Sequence, residues 1–273
     1  MRFALGLQYD GRDWQGWQSQ PHGRTVQDAL EAALAKFSDA PVRVSCAGRT
    51  DAGVHALGQV VHLDTHAVRA SNGWVRGVNA LLPASIAITW AAEVDAAFDA
   101  RFSAMARTYH DLLLAQPVRS PHWVGRAGWT HAELDVQSMQ AAARSLIGTH
   151  DFSAFRSAEC QARSPIKTLS VAEVAAQGRF VIFTFRANAF LQHMVRNLVG
   201  CLVAVGRGKQ GVAWVAEVLN GRDRSASAAT FMPDGLYLAR VDYPASFALP
   251  QALGLDAVFP GLDAREPTMD GLT

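Results

Sequence analysis

The sequence predicts an α+β fold in which two halves of similar content share one sheet. Some segments place apolar residues at every second position, others at every third or fourth, and both kinds recur in each half. The halves run to about 100–130 residues each and lack the regular strand–helix alternation of a parallel sheet. With 273 residues, 49% apolar and 18% charged, the chain can bury a sizeable core.

The first strand is Arg2 to Tyr9, which carries Phe3, Leu5, Leu7 and Tyr9 on one face and closes at the turn Asp10-Gly11. A helix follows Thr25. Thr25 can cap it, Asp28 lies in its first turn where the helix dipole favours an acid, and Val26, Leu30, Ala33, Leu34 and Phe37 recur at helical spacing. Val42 to Cys46, Gln59 to Leu63 and Ile86 to Ala91 read as strands, and Gly73 to Leu82 as a helix. In the second half, Thr108 to Leu114, Leu169 to Ala175, Arg179 to Ala187 and Gly235 to Tyr243 read as strands. Leu134 to Ile147, Phe190 to Val205 and Gly211 to Leu219 read as helices. The expected divisions are residues 1–105, 106–245 and a tail, 246–273. The tail holds Pro250, Pro260 and Pro267 with an acidic excess, which favours extended or poorly ordered chain.

The opening segment lacks the apolar run of a signal peptide, and the longest apolar stretch, Leu198 to Val205, is far short of the roughly 20 residues that cross a bilayer. A cytoplasmic protein with no membrane partner is expected. The cysteines at 46, 160 and 201 show no metal-ligand spacing, and His62 and His66 lack the glutamate of a metal helix, so no metal is expected. Gly206 to Gly211 matches a dinucleotide fingerprint in letters but follows a helix, and no phosphate-binding loop is present, so no cofactor is expected. Gly178 to Phe185, with its alternating aromatics, reads as core strand.

The net charge of +1 averages two regions: residues 247–273 carry −3, which leaves +4 for residues 1–246. Only Lys36, Lys167 and Lys209 are lysines; the remaining cations are arginines, suited to phosphate and base contacts or to a salt-bridged surface.

Three positions stand out chemically. Gly48-Arg49-Thr50-Asp51-Ala52-Gly53-Val54-His55-Ala56 follows a strand and sets a carboxylate between small residues, either to face a flat substrate or to cap a turn. Arg196 sits on a strongly apolar helix, where its head either reaches solvent or faces a carboxylate such as Asp51. Tyr109 is either a core strand residue or a ring that stacks on a base and exchanges protons.

In order and spacing, these strings resemble the TruA family of transfer RNA pseudouridine synthases over residues 3–243. The resemblance begins with Tyr9-Asp10-Gly11, Gly16-Trp17-Gln18 and Thr25-Val26-Gln27. It continues through the Asp51 string, residues 100–110, Asp151-Phe152, Phe155-Arg156 and residues 187–200, and ends at 235–244. It implies two ferredoxin-like or RRM-like halves that form one extended, mostly antiparallel sheet flanked by helices, with the catalytic cleft between the halves. By the same resemblance Asp51 is the catalytic aspartate, Tyr109 packs against the target base, Arg196 is the basic partner of Asp51, and Leu236 touches the uracil. Arg49 then fills the space of an extracted nucleotide. The family is homodimeric, and its substrate is uridine at transfer RNA positions 38, 39 and 40 in the anticodon stem-loop. A carboxylate nucleophile suits such an isomerisation, because the uracil must be detached, turned and rejoined through C5. Arg12, Arg24, Arg76 and Arg107 are candidate phosphate contacts. Two rival readings are a non-catalytic RNA-binding protein, which could dispense with Asp51, and a magnesium-dependent hydrolase or phosphotransferase, which would need an acidic cluster that the loop lacks.

Overall fold

A computed structural model describes residues 1–262. The fold is mixed α+β, with a large, mostly antiparallel sheet flanked by helices. The chain clusters into two compact units. One comprises Met1–Tyr109, Ser120–Gly128 and Met232–Ala252, and the other comprises His110–Arg119, Trp129–Phe231 and the described residues from Leu253.

In the first unit the strand order is β4 (Ile86–Val94), β1 (Arg2–Tyr9), β3 (His55–Asp64) and β10 (Leu236–Asp242), with the two-residue β2 (Ser45–Cys46) on β3. β1 pairs antiparallel with both neighbours, whereas β10 pairs parallel with β3, setting Tyr237 opposite His55 and Leu238 opposite Ala56. Helix α1 (Val26–Ser38) starts as expected, since the Thr25 hydroxyl accepts the Asp28 N–H and Asp28 lies in the first turn. Helix α2 (Ser71–Asn79) closes the same core, with Trp74 fully buried between Phe3 and Phe37, its ring centroid 5.3 and 5.1 Å from theirs.

Two expectations in this unit are corrected. Val42 to Val44 are not strand, because the Glu31 carboxylate takes the Val44 N–H (3.0 Å) and the Arg43 guanidinium (2.9 Å), which fastens the segment to α1. β3 begins at His55, not Gln59: its polar residues His55, Gln59 and His62 interrupt the apolar pattern, yet all three are buried.

In the second unit β9 (Phe180–Ala187), β8 (Ile166–Gln177) and β7 (Gly148–Asp151) form consecutive antiparallel pairs. Helices α3 (Val136–Ala143), α4 (Met194–Gly206) and α5 (Trp214–Gly221) accompany them. α3 is shorter than the predicted 134–147, because a 3₁₀ turn over Arg144–Leu146 and Gly148 at φ 118° redirect the chain into β7, which the sequence reading missed. Buried Leu146 had extended the helical period through that turn. α4 begins four residues later than expected, since His193 adopts a left-handed conformation (φ 62°) and cannot continue a helix backwards. The segment Phe180–Ala187 is core strand, as read from its pattern.

Strand β5 (Ala106–Ala115) carries both Tyr109 and His110, and the three-residue β6 (Gly128–Thr130) follows it in the chain. His110 is buried, accepts or donates one hydrogen bond with the Thr184 hydroxyl (3.0 Å), and is pulled by burial to a pKa of about 4. The folded protein therefore keeps this imidazole neutral, while the unfolded chain protonates it below about 6.5. Its contribution is complete above pH 6.5 and is lost as pH falls towards 4, up to about 3 kcal/mol. Denaturation between pH 4 and 7 should show a shallower pH dependence in His110→Asn than in the wild type.

Up to residue 262, the tail is more structured than its composition suggested. Residues 245–247 form a 3₁₀ turn, Phe247 and Leu249 pack with Tyr243 on the core around Phe98, and Leu255–Val258 form a short helix. The acidic residues Asp263, Glu266 and Asp270 lie outside the described residues.

Candidate active site

The loop between β2 and β3 is held from several sides. Its first residue, Ala47, is packed in the core cluster with Ala4, Val60, Phe98 and Ala100. Gln59, fully buried, donates to the Gly48 carbonyl (2.6 Å) and accepts the Gly48 N–H (3.3 Å). The Tyr9 and Thr50 hydroxyls share a hydrogen bond of 2.8 Å, and the Thr50 carbonyl accepts the Trp17 N–H (3.0 Å). The Val54 N–H closes the turn on the Asp51 carbonyl (3.1 Å), with Gly53 in the left-handed region at φ 80°. The outcome is a fixed backbone that leaves the Asp51 side chain half-buried and Arg49 exposed.

The motif glycines at 11 and 16 serve the same clamp. A Cβ at Gly11 would lie 2.0 Å from the Val54 carbonyl oxygen, and one at Gly16 would lie 2.9 Å from the Thr50 oxygen at a backbone φ of 84°. Gly11→Ala should therefore destabilise the protein by about 2 kcal/mol or more and lower turnover even in the folded fraction, checked by denaturation beside single-turnover rates.

His55, at the start of β3, carries the loop on to its other supports. The Gly11 N–H donates to Nδ1 (3.1 Å), so the proton sits on Nε2, which donates to the Gly125 carbonyl (2.7 Å). Its ring stacks on Tyr237 at 4.5 Å, and the Tyr237 hydroxyl donates to the Arg126 carbonyl (2.7 Å). The parallel pairing of β10 with β3 thereby brings Leu236, buried, to the level of the loop's end, and Pro233, whose carbonyl accepts the Leu236 N–H, faces Gly53.

Tyr109 is 8% exposed and within electrostatic range of Asp51. Burial first, and then the Asp51 charge, push its phenol well above the ordinary tyrosine value, so it is a neutral hydroxyl at physiological pH. Asp51, Arg49, Tyr109 and Leu236 all belong to the first unit. Arg196 belongs to the second, half-buried on α4; its Nε donates to the Phe231 carbonyl (2.8 Å), while the Phe231 N–H returns to the Arg196 carbonyl (3.2 Å).

One candidate phosphate contact is corrected. Arg107 is 9% exposed and spends its donors on main-chain carbonyls: Nε and Nη2 on Ala47 (3.2 and 2.9 Å), Nη2 on Arg101 (2.7 Å) and Nη1 on Ala104 (3.1 Å). These bonds brace the loop. Arg24 and Arg76 are exposed, and Arg12 is exposed in an ion pair with Asp10 (2.6 Å). Gln59, His55 and Arg107 escaped the sequence reading as site supports. The one available signal was a glutamine inside the otherwise apolar run around Val60 and Val61.

Among the described residues, no group of three or more His, Cys, Asp or Glu side chains could hold a metal ion, and no helix is long and apolar enough to cross a membrane.

Comparison with known proteins bears on this geometry. A family profile described as tRNA pseudouridine synthase matches residues 7–103 and 142–244. The chain is 61% identical over 249 residues to the tRNA pseudouridine synthase A of Paraburkholderia phymatum, covering 91% of this chain and 93% of that one. It is 58% identical over 269 residues to the protein of that name from Burkholderia thailandensis, covering 97% and 100%. A chain of a solved Cbf5-Nop10-Gar1 complex aligns over 86% of this chain and 48% of its own at 14% identity, with a TM-score of 0.35, too slight a likeness to carry an argument. On the profile match and the two relatives, the chain belongs to the tRNA pseudouridine synthase family and is an isomerase that converts uridine to pseudouridine in transfer RNA.

Proposed function

We propose that this synthase acts at positions 38, 39 and 40 of the anticodon stem-loop, with Asp51 as its nucleophile. The observation that carries the reading is the immobilised, glycine-flanked loop that holds a half-buried carboxylate within electrostatic range of a buried tyrosine. The Asp51 carboxylate attacks C1′ of the ribose or C6 of the uracil, the N1–C1′ bond breaks, and C5 of the turned base bonds to C1′. N1 gains a proton and C5 loses one. In the C6 route the carboxylate remains an ester until C5 has lost its proton, so the negative charge beside Tyr109 is absent and the phenol is easier to ionise at that stage. In the C1′ route the new C5–C1′ bond displaces the carboxylate and restores its charge before the C5 proton leaves. Tyr109 is in either case the surface that meets the base, and in the C6 route it is also a path for that proton.

In this reading Leu236 is the apolar contact to the uracil, Arg49, exposed beside the nucleophile, fills the space of the flipped nucleotide, and Arg196 is the basic residue that keeps Asp51 ionised. The two halves are read as ferredoxin-like or RRM-like, with the cleft between them as the catalytic site. No metal or cofactor takes part, since the reaction involves neither a redox change nor a group donor. A cytoplasmic homodimer laid across one transfer RNA would offset the modest basic charge of each chain.

The test is to incubate purified protein, without added metal or cofactor, with unmodified transfer RNA carrying uridines at positions 38 to 40, and to map pseudouridine at each nucleotide. Product at those positions is expected. Product only elsewhere overturns the positional reading, and tight binding without product across several such RNAs overturns the catalytic one.

A further inference from the structure

We infer that Arg101 and Phe102 form a stacking platform that receives an unpaired base of the transfer RNA beside the Asp51 loop. Phe102 is 81% exposed and Met105 is 53% exposed. Single apolar side chains at a surface are ordinary and need no explanation. This one differs in how firmly it is presented and in what surrounds it.

Its backbone is fixed on every side. One Asp99 carboxylate oxygen accepts the N–H groups of both Arg101 (2.8 Å) and Phe102 (2.9 Å), and the Ser103 hydroxyl accepts the Asp99 N–H (2.9 Å). The Ala100 N–H donates to His62 Nδ1 (3.0 Å), and the Ala100 carbonyl accepts the Tyr243 hydroxyl (2.6 Å). At the far end, the Met105 N–H donates to the Asp242 carbonyl (2.8 Å). A turn that costs this many bonds to hold shows its ring in one place, so little entropy is lost when a second ring settles on it.

The surroundings suit a nucleotide. The Arg101 guanidinium lies over the Phe102 ring, 5.4 Å from its centroid, leaving most of the ring in solvent. Arg49 and Arg101 are both exposed, and both lie within electrostatic range of the half-buried Cys46 thiol. Phosphates flanking a stacked base would meet positive charge there. The platform is also tied to the reacting loop, because Arg107 holds the Arg101 and Ala104 carbonyls and the Ala47 carbonyl with a single guanidinium. Stacking on Phe102 would thus set the RNA against residues 48–51, so this inference rests on the reading of Asp51 as the reacting centre.

The test uses the full chain in an Asp51→Asn background, so that binding is read without turnover. The probes are an unmodified transfer RNA and a set of the same RNA with single abasic nucleotides through the anticodon arm. Phe102→Ala should weaken binding about tenfold and Phe102→Trp should restore it to within about twofold, with thermal midpoints unchanged to about 2 °C. One abasic position should cost the Phe102-containing protein about tenfold and the Phe102→Ala protein nothing further, as expected when two groups lose one shared contact. Unchanged affinity in Phe102→Ala, or equal abasic penalties with and without the ring, overturns the inference. A changed oligomeric state at unchanged affinity also overturns it and assigns the ring to a contact between copies. Turnover by Asp51→Asn alone would sink the nucleophile and leave the Phe102 result standing.

Discussion

Asp51→Asn is expected to lower single-turnover pseudouridine formation by at least about 10⁴-fold while leaving transfer RNA affinity within about tenfold of the wild type. An amide oxygen is a poor nucleophile, and no neighbouring group can substitute for a covalent bond to the detached fragment. The fold should tolerate the change, because the loop is held through the main chain, at the Asp51 and Thr50 carbonyls and both polar groups of Gly48, and through the Thr50 hydroxyl. The isosteric amide also removes the charge that helps hold Tyr109 neutral, so its phenol should titrate at lower pH than in the wild type, visible in the ultraviolet absorbance of tyrosinate. Loss of cooperative unfolding in this variant would mean that Asp51 is a structural cap. Turnover within tenfold of the wild type would rule it out as nucleophile.

Arg107→Ala is expected to cost about 3 kcal/mol of stability, and to slow turnover in whatever fraction remains folded. The carbonyls of Ala47, Arg101 and Ala104 all accept from this one side chain, and each that is left buried without a donor costs on the order of 1–3 kcal/mol, partly offset by water entering the space. Arg107→Lys keeps the charge but not the planar fork, and should recover part of the stability. Denaturant unfolding measures the first effect. The salt dependence of transfer RNA binding separates this role from a phosphate contact: a bracing residue leaves the slope of affinity against salt unchanged, whereas a phosphate-gripping arginine would reduce it by about one unit at unaltered stability.

Much of the local structure was legible because local chemistry specifies it. Thr25 and Asp28 announced α1, the alternation Phe3, Leu5, Leu7, Tyr9 announced β1, and the Asp51 string stood out by its small residues around a carboxylate. The ends of α3 and α4 were misread because of local turns at residues 144–148 and at His193, whereas the misreadings in the first unit share a cause in contacts distant in sequence. Residues 42–44 look like strand and are drawn instead to Glu31; the start of β3 looks too polar, and its polar groups find partners 11, 38, 44 and 70 residues away.

The sequence by itself determined the mixed α+β class, most of the helices and strands, the nucleophile candidate and the family, since each rests on residue type, short-range spacing or the order of motifs. The tertiary structure alone decided that β10 returns to pair in parallel with β3, that His55, Gln59 and Arg107 clamp the Asp51 loop, and that Arg107 faces main-chain carbonyls. The physical reason is that a buried polar group must find a partner wherever the fold brings one, and nothing in its neighbouring residues says which it will be.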